Sequence, residues 1–159
     1  MLKEITIGVN ILKSYIVMSR IIYNNIIPFK GYLAMCVFPF IFVRKDARNL
    51  TVKDINHEKI HGMQQIETHI VALILAVLLA AVGLFSWWWV LVSPLVYFAL
   101  YGLEYIVRWI CYGFDTREAY RNISFEQEAY LNENDLTYIK NRHLFASWKY
   151  LFRKTYHRK

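Results

Sequence analysis

Charge is what this 159-residue chain lacks over its middle. From Ile70 to Val107, 38 residues, the only charged side chain is Glu104. About 20 apolar residues cross a bilayer once, so the run excludes an ordinary water-exposed segment and suits a two-helix hairpin. Proline is scarce too. Pro28, Pro39 and Pro94 are the only three, and no ring interrupts the chain between Pro39 and Pro94. The two cysteines, Cys36 and Cys111, stand in apolar settings without CxxC spacing. That excludes a disulfide scaffold and reads as two reduced, buried thiols. The N-terminus has no clean apolar core followed by a small-residue cleavage site, so a removable signal peptide is not expected. Repeats and low-complexity segments are also missing.

What is present is apolar and aromatic. Apolar residues make up 57% and aromatic residues 17% of the chain, against a usual apolar share of about 45–50%. Mean hydropathy is +0.24. The net charge of +7 is local: residues 1–139 hold 12 basic and 12 acidic residues. The excess comes from Lys140, Arg142, Lys149, Arg153, Lys154, Arg158 and Lys159. A basic tail on a neutral body fits contact with anionic lipid better than nucleic acid, so membrane lipid is the expected partner and nucleic acid is not.

Periodicity sets out a single membrane-embedded domain over 1–159. Residues 1–27, with Ile5, Val9, Leu12 and Ile16 at helical spacing, read as an interfacial or membrane helix. Residues 28–50 are broken by Pro28, Gly31 and Pro39 and end in β-branched and aromatic residues, which predicts extended segments and a strand over Pro39–Arg44. Thr51 or Asp54 caps the next helix. With no break before Gly83, that helix should run on into a first span, roughly Ile66–Phe85, within a segment 51–85. Gly83–Ser86 reads as a turn, and Trp87, Trp88 and Trp89 as an interfacial aromatic belt. A second span occupies 87–111, with a kink expected at Ser93-Pro94. Residues 115–159 should hold a helix begun by Ser124 and a basic amphipathic helix over about Asp135–His157. Leu144, Phe145, Trp148, Leu151 and Phe152 would form its apolar face. The predicted fold class is therefore mainly α, a helical membrane protein with a short N-terminal β element.

The chemistry-bearing motif is His57-Glu58-Lys59-Ile60-His61. Residues four apart share a helix face, so both imidazoles can reach one metal ion. Glu58 lies about 100° round the helix, placed to take a proton from a metal-bound water. Basic residues flank the hairpin on one side only: Lys45, Arg48, Lys53 and Lys59 before it, Arg108, Arg117 and Arg121 after it. The positive-inside rule puts both flanks in the cytoplasm. Two spans return the chain to the side it left, so a third ligand is expected just past the hairpin. Glu126 and Glu128 are the candidates, with Glu104 in reserve, although Glu104 also suits an ion pair with Arg108 four residues on. Gln64 and Gln65, one turn beyond His61, suit orienting ligands or binding water. His69 reads as an interfacial residue. Tyr120, Tyr130, Arg121 and His143 are candidate donors to a developing oxyanion.

The pentad together with Glu126-Gln127-Glu128-Ala129 resembles the gluzincin class of zinc metallopeptidases, whose membrane-bound members carry E-x-x-A-D at the second motif. The chain departs from that pattern at Tyr130, where the class has aspartate. It is also similar to a group of small bacterial membrane proteins with an N-H-E-x-I-H-x-x-Q stretch and a later Y-R-N-x-x-F-E-x-E-A-Y stretch, over most of residues 28–151. The gluzincin resemblance implies one Zn2+ per chain held by His57, His61 and Glu126, with Glu128 the alternative ligand and Glu58 the general base. It implies a peptidase acting on a peptide or membrane protein at the cytoplasmic face of the inner membrane, with an extended substrate paired to the edge of the Pro39–Arg44 strand. A metal-dependent lipid or amide hydrolase and a non-catalytic metal-stabilised scaffold are the rival expectations.

Overall fold

A computed structural model describes residues 19–153. The chain divides into two compact units. The first holds the described residues up to Met63 together with Ala129–His143. Its N-terminal part is a three-stranded sheet, β1 (Arg20–Asn24), β2 (Ala34–Val37) and β3 (Phe40–Arg44). β3 lies in the centre, parallel to β1 with Arg20 opposite Phe40, and antiparallel to β2 with Cys36 opposite Ile41. Alternation along β3 buries Ile41 and Val43 with Cys36 on one face, the period of two that a half-buried strand requires.

Helix α1 (Val52–Ala81) begins in this unit. Its start is a reciprocal cap. The Asp54 backbone N–H donates to Thr51 Oγ1 at 3.2 Å, and the Thr51 N–H donates back to Asp54 Oδ2 at 2.8 Å. This satisfies donors that the first helical turn leaves orphaned. Arg48 clamps the same carboxylate with two hydrogen bonds of 2.6 and 2.8 Å. Further along, Asn56 Nδ2 donates to the carbonyls of Glu133 and Asp135, both at 3.0 Å. It thereby closes the end of the helix that precedes them.

The second unit holds Gln64–Glu128 and the described residues from Leu144 onward. α1 continues through it to Ala81 and ends at Gly83, whose φ is +75°. The Gly83 N–H reaches the Ala80 carbonyl at 3.0 Å and the Leu84 N–H reaches Leu79 at 2.9 Å. This pair of bonds satisfies helix-end carbonyls and needs a residue that tolerates positive φ. The return segment is α2 (Trp88–Val92), a tight turn Ser93–Leu95, and α3 (Val96–Cys111). The break falls at Pro94, which has no N–H to give, as the kink expected there requires. Val52–Ala81 and Trp88–Cys111 are both long and apolar enough to cross a membrane. Their outer faces carry exposed Ile74, Leu78, Leu91, Leu95 and Leu103. Gly113, with φ +62°, closes α3 through the same pair of bonds seen at Gly83.

Helix α4 (Thr116–Arg121) is capped by Asp115, whose side chain accepts from the N–H groups of Arg117 and Glu118. Helix α5 (Ser124–Asn132) follows. Ser124 opens it but does not cap it. Its N–H and its hydroxyl both donate to the Glu104 carboxylate, at 2.8 and 2.6 Å, and Arg108 donates to the same group at 3.1 Å. Glu104 is thus a cap supplied by α3, with its negative charge at the positive end of α5. Tyr97, Ile123 and Phe125 form the core of this unit, with Tyr101, Tyr105 and Tyr120 packed around it.

Three expectations fail. Cys36 is buried but Cys111, at the end of α3, is exposed. Residues 20–24 are a strand rather than the end of an interfacial helix; the remainder of that expected helix lies outside the described residues. Among the described residues, which end at Arg153, the amphipathic helix expected over Asp135–His157 is not seen. Of these, only α6 (Tyr138–Asn141) and one tight turn, Ala146–Tyr150, are helical. Asp135 Oδ1 accepts from the Thr137 N–H and hydroxyl, a local bond that competes with helix. Arg142 is extended and Phe145 has φ +54°, so the helical period is broken and Leu144, Trp148 and Phe152 remain exposed.

Two predictions follow from these caps. Glu104→Ala removes charge-assisted bonds worth up to about 1.5–3 kcal/mol each, and should lower the thermal midpoint of the detergent-solubilised protein. An unchanged midpoint would show that α5 needs no cap. Asp54 is held below the usual carboxylate range, first by the Arg48 hydrogen bonds and then by those from Thr51. A depressed folded value means the contribution is complete above about pH 4 and is lost as pH falls further. Asp54→Asn should therefore flatten the acid limb of the stability curve measured by denaturant titration.

Candidate metal centre

His57 and His61 lie one turn apart on α1. Their Nε2 atoms face each other at 3.1 Å, with ring centroids 4.8 Å apart at 75°. The outer nitrogen of His57, Nδ1, meets Glu133 Oε2 at 3.0 Å. Glu133 Oε1 is bound by Lys53 Nζ at 2.9 Å. Burial raises the Glu133 carboxyl, but the hydrogen bonds from His57 and Lys53 outweigh it and hold the group below its ordinary value. Tyr130 packs its ring against His57, centroids 4.8 Å apart. Glu58 is buried. It lies close enough to β2 that its charge adds to burial in pushing up the Cys36 thiol. All of these residues belong to the first unit.

In the second unit, the Tyr101 hydroxyl donates to Glu126 Oε1 at 2.8 Å. Gln64 Nε2 donates to Glu128 Oε2 at 3.0 Å and to the Phe125 carbonyl at 3.1 Å. The Gln64 carbonyl oxygen accepts from the Tyr97 hydroxyl at 3.2 Å. The two glutamates therefore have separate assignments: Glu126 is held by a tyrosine of α3, and Glu128 by an amide of α1.

The ligand atoms of His57, His61 and Glu126 all lie within 4.8 Å of one another. Two imidazole nitrogens and one carboxylate oxygen form a donor set that suits zinc and leaves a position open. Ligands of a tetrahedral zinc at about 2.0–2.1 Å stand about 3.3 Å apart, a spacing the two imidazoles already have. The group can hold a metal ion.

Of the two glutamates expected as third ligand, Glu126 stands in this group and Glu128 does not. Glu104 serves as the α5 cap. Tyr130 touches His57, and Gln65 is buried on α1. Tyr120 instead joins the aromatic core. Arg121 ends α4, and His143 is exposed. His69 Nδ1 lies 3.3 Å from Ser93 Oγ and takes no part in the metal group. Lys53, Tyr101 and Glu133 were missed. Glu133 had a readable signal, since it follows Glu126 by seven residues, two helical turns on one face. Comparison of the chain with protein-family models, curated proteins and solved structures gave no match in any of the three.

Metal analysis of Glu126→Ala and Glu128→Ala separates their roles. The first should lose bound zinc and the second retain it. Equal retention by both would remove Glu126 from the ligand set.

Proposed function

We propose that the protein is a zinc-dependent metallopeptidase of the inner membrane, multi-pass, with its site at the cytoplasmic face. The observation that carries this reading is the grouping of His57, His61 and Glu126 with Glu58 between the two histidines in sequence. Bound zinc would lower the pKa of a water and polarise a scissile carbonyl. The buried Glu58 carboxylate accepts the proton of the attacking water and passes it to the leaving amine. Tyr101 steadies Glu126. Tyr130, packed on His57, is the favoured donor to charge developing on the carbonyl oxygen.

The two apolar helices and the one-sided basic flanks support the membrane setting. A peptide substrate is favoured by the sheet. The expected pairing site on β3 is corrected, because β3 is the central strand with both neighbours in place. Among the described residues β2 is an edge, and it is the strand whose Cys36 senses Glu58. An extended peptide laid along β2 would gain backbone hydrogen bonds beside the general base.

Glu58→Gln tests the reading directly. The variant should retain about one zinc per chain and lose turnover of peptide substrates by at least about 100-fold, the scale of general-base catalysis. Full peptidase activity in the variant would sink the assignment of the base. Turnover of lipid esters or amides alone would redirect the substrate class.

A further inference from the structure

We propose that Glu133 is the residue that positions His57 for metal binding, with Lys53 and Asn56 holding Glu133 in place. The inference rests on the metal-centre reading above and adds a residue outside the ligand set. A neutral imidazole carries one proton on one of its two nitrogens, and the partner of one nitrogen decides the state of the other. The Glu133 carboxylate, 3.0 Å from His57 Nδ1, is an acceptor and draws the proton there. That puts the lone pair on Nε2, the form that binds metal, and Nε2 is the atom that faces His61 Nε2 at 3.1 Å.

Glu133 is itself fixed. Its second carboxylate oxygen takes the Lys53 ammonium at 2.9 Å, and its backbone carbonyl takes the Asn56 amide at 3.0 Å. Lys53 and His57 are four residues apart on α1, so the ammonium and the imidazole leave the helix on one face and meet the two oxygens of one carboxylate. Tyr130 packs on the same ring but brings no charge to it. A carboxylate that orients a metal-binding histidine typically changes metal affinity by about 10–100-fold when removed.

The test uses the full chain in detergent, with zinc affinity measured by chelator competition. Glu133→Ala and Glu133→Met, the second keeping bulk without an acceptor, should weaken zinc binding about 10–100-fold. Glu133→Asp should recover part of the loss. Nitrogen-15 spectra of the zinc-free wild type should show His57 protonated on Nδ1. A merely structural role would lower the zinc-free melting midpoint while leaving zinc affinity within twofold of wild type, and that result overturns the proposal. So does a zinc-free wild type with His57 protonated on Nε2, a measurement that stands even if a variant fails to fold. A wild-type protein that binds no zinc overturns the metal-centre reading itself. A wild type that binds zinc beside an equally tight Glu133→Ala overturns only the role of Glu133.

Discussion

Burial of charge on one short helix is the constraint on which the rest depends. Residues 122–129 are buried without exception, Glu126 to 2% exposure and Glu128 to 0%. Taking a carboxylate out of water without a partner costs several kcal/mol. The fold answers with a set of polar partners drawn from elsewhere in the chain. Glu104 accepts from the first turn of α5, Tyr101 donates to Glu126, Gln64 donates to Glu128, and just past the helix Lys53 and His57 meet Glu133. A helix whose sequence, SFEQEAYLN, has almost no apolar face is thereby stable inside a protein. These polar partners act beside the packing of Phe125 against Tyr97 and Ile123.

The same accounting explains which parts of the molecule could be read in the sequence. Local signals were legible. Thr51 and Asp54 cap α1, Gly83 ends it, and Ser93-Pro94 breaks the return segment, each through chemistry set by neighbouring residues. The metal group was legible because the i, i+4 histidines are a local pattern and a hairpin brings the chain back towards its start. Non-local arrangements were not legible. Nothing in Arg20–Asn24 announces parallel pairing with Phe40–Arg44, since the partner is twenty residues away. The apolar spacing of Leu144, Trp148 and Phe152 has a helical period, yet the extended Arg142 and the left-handed Phe145 override it.

The site residues divide along the same line. Glu58 and both histidines are marked out by their spacing. Tyr101 does not, because a tyrosine in an apolar segment is ordinarily read as packing, and only the 2.8 Å contact with Glu126 marks it as something else. Lys53 had been counted as one more basic residue on a flank. Its contact with Glu133 ties it through one carboxylate to His57 as well.

The side chains that meet α5 and the Glu133 just beyond it share one property that distance alone does not reveal. Lys53, His57, Gln64, Tyr97, Tyr101 and Glu104 all precede it in the chain. During synthesis these side chains are therefore made before the helix, and Glu126 is the last of the His57, His61 and Glu126 group to be made. A nascent chain carries the two histidines and Glu58 through most of its synthesis with no Glu126 to complete the group. The grouping of His57, His61 and Glu126 is therefore complete only after the second apolar segment has been made.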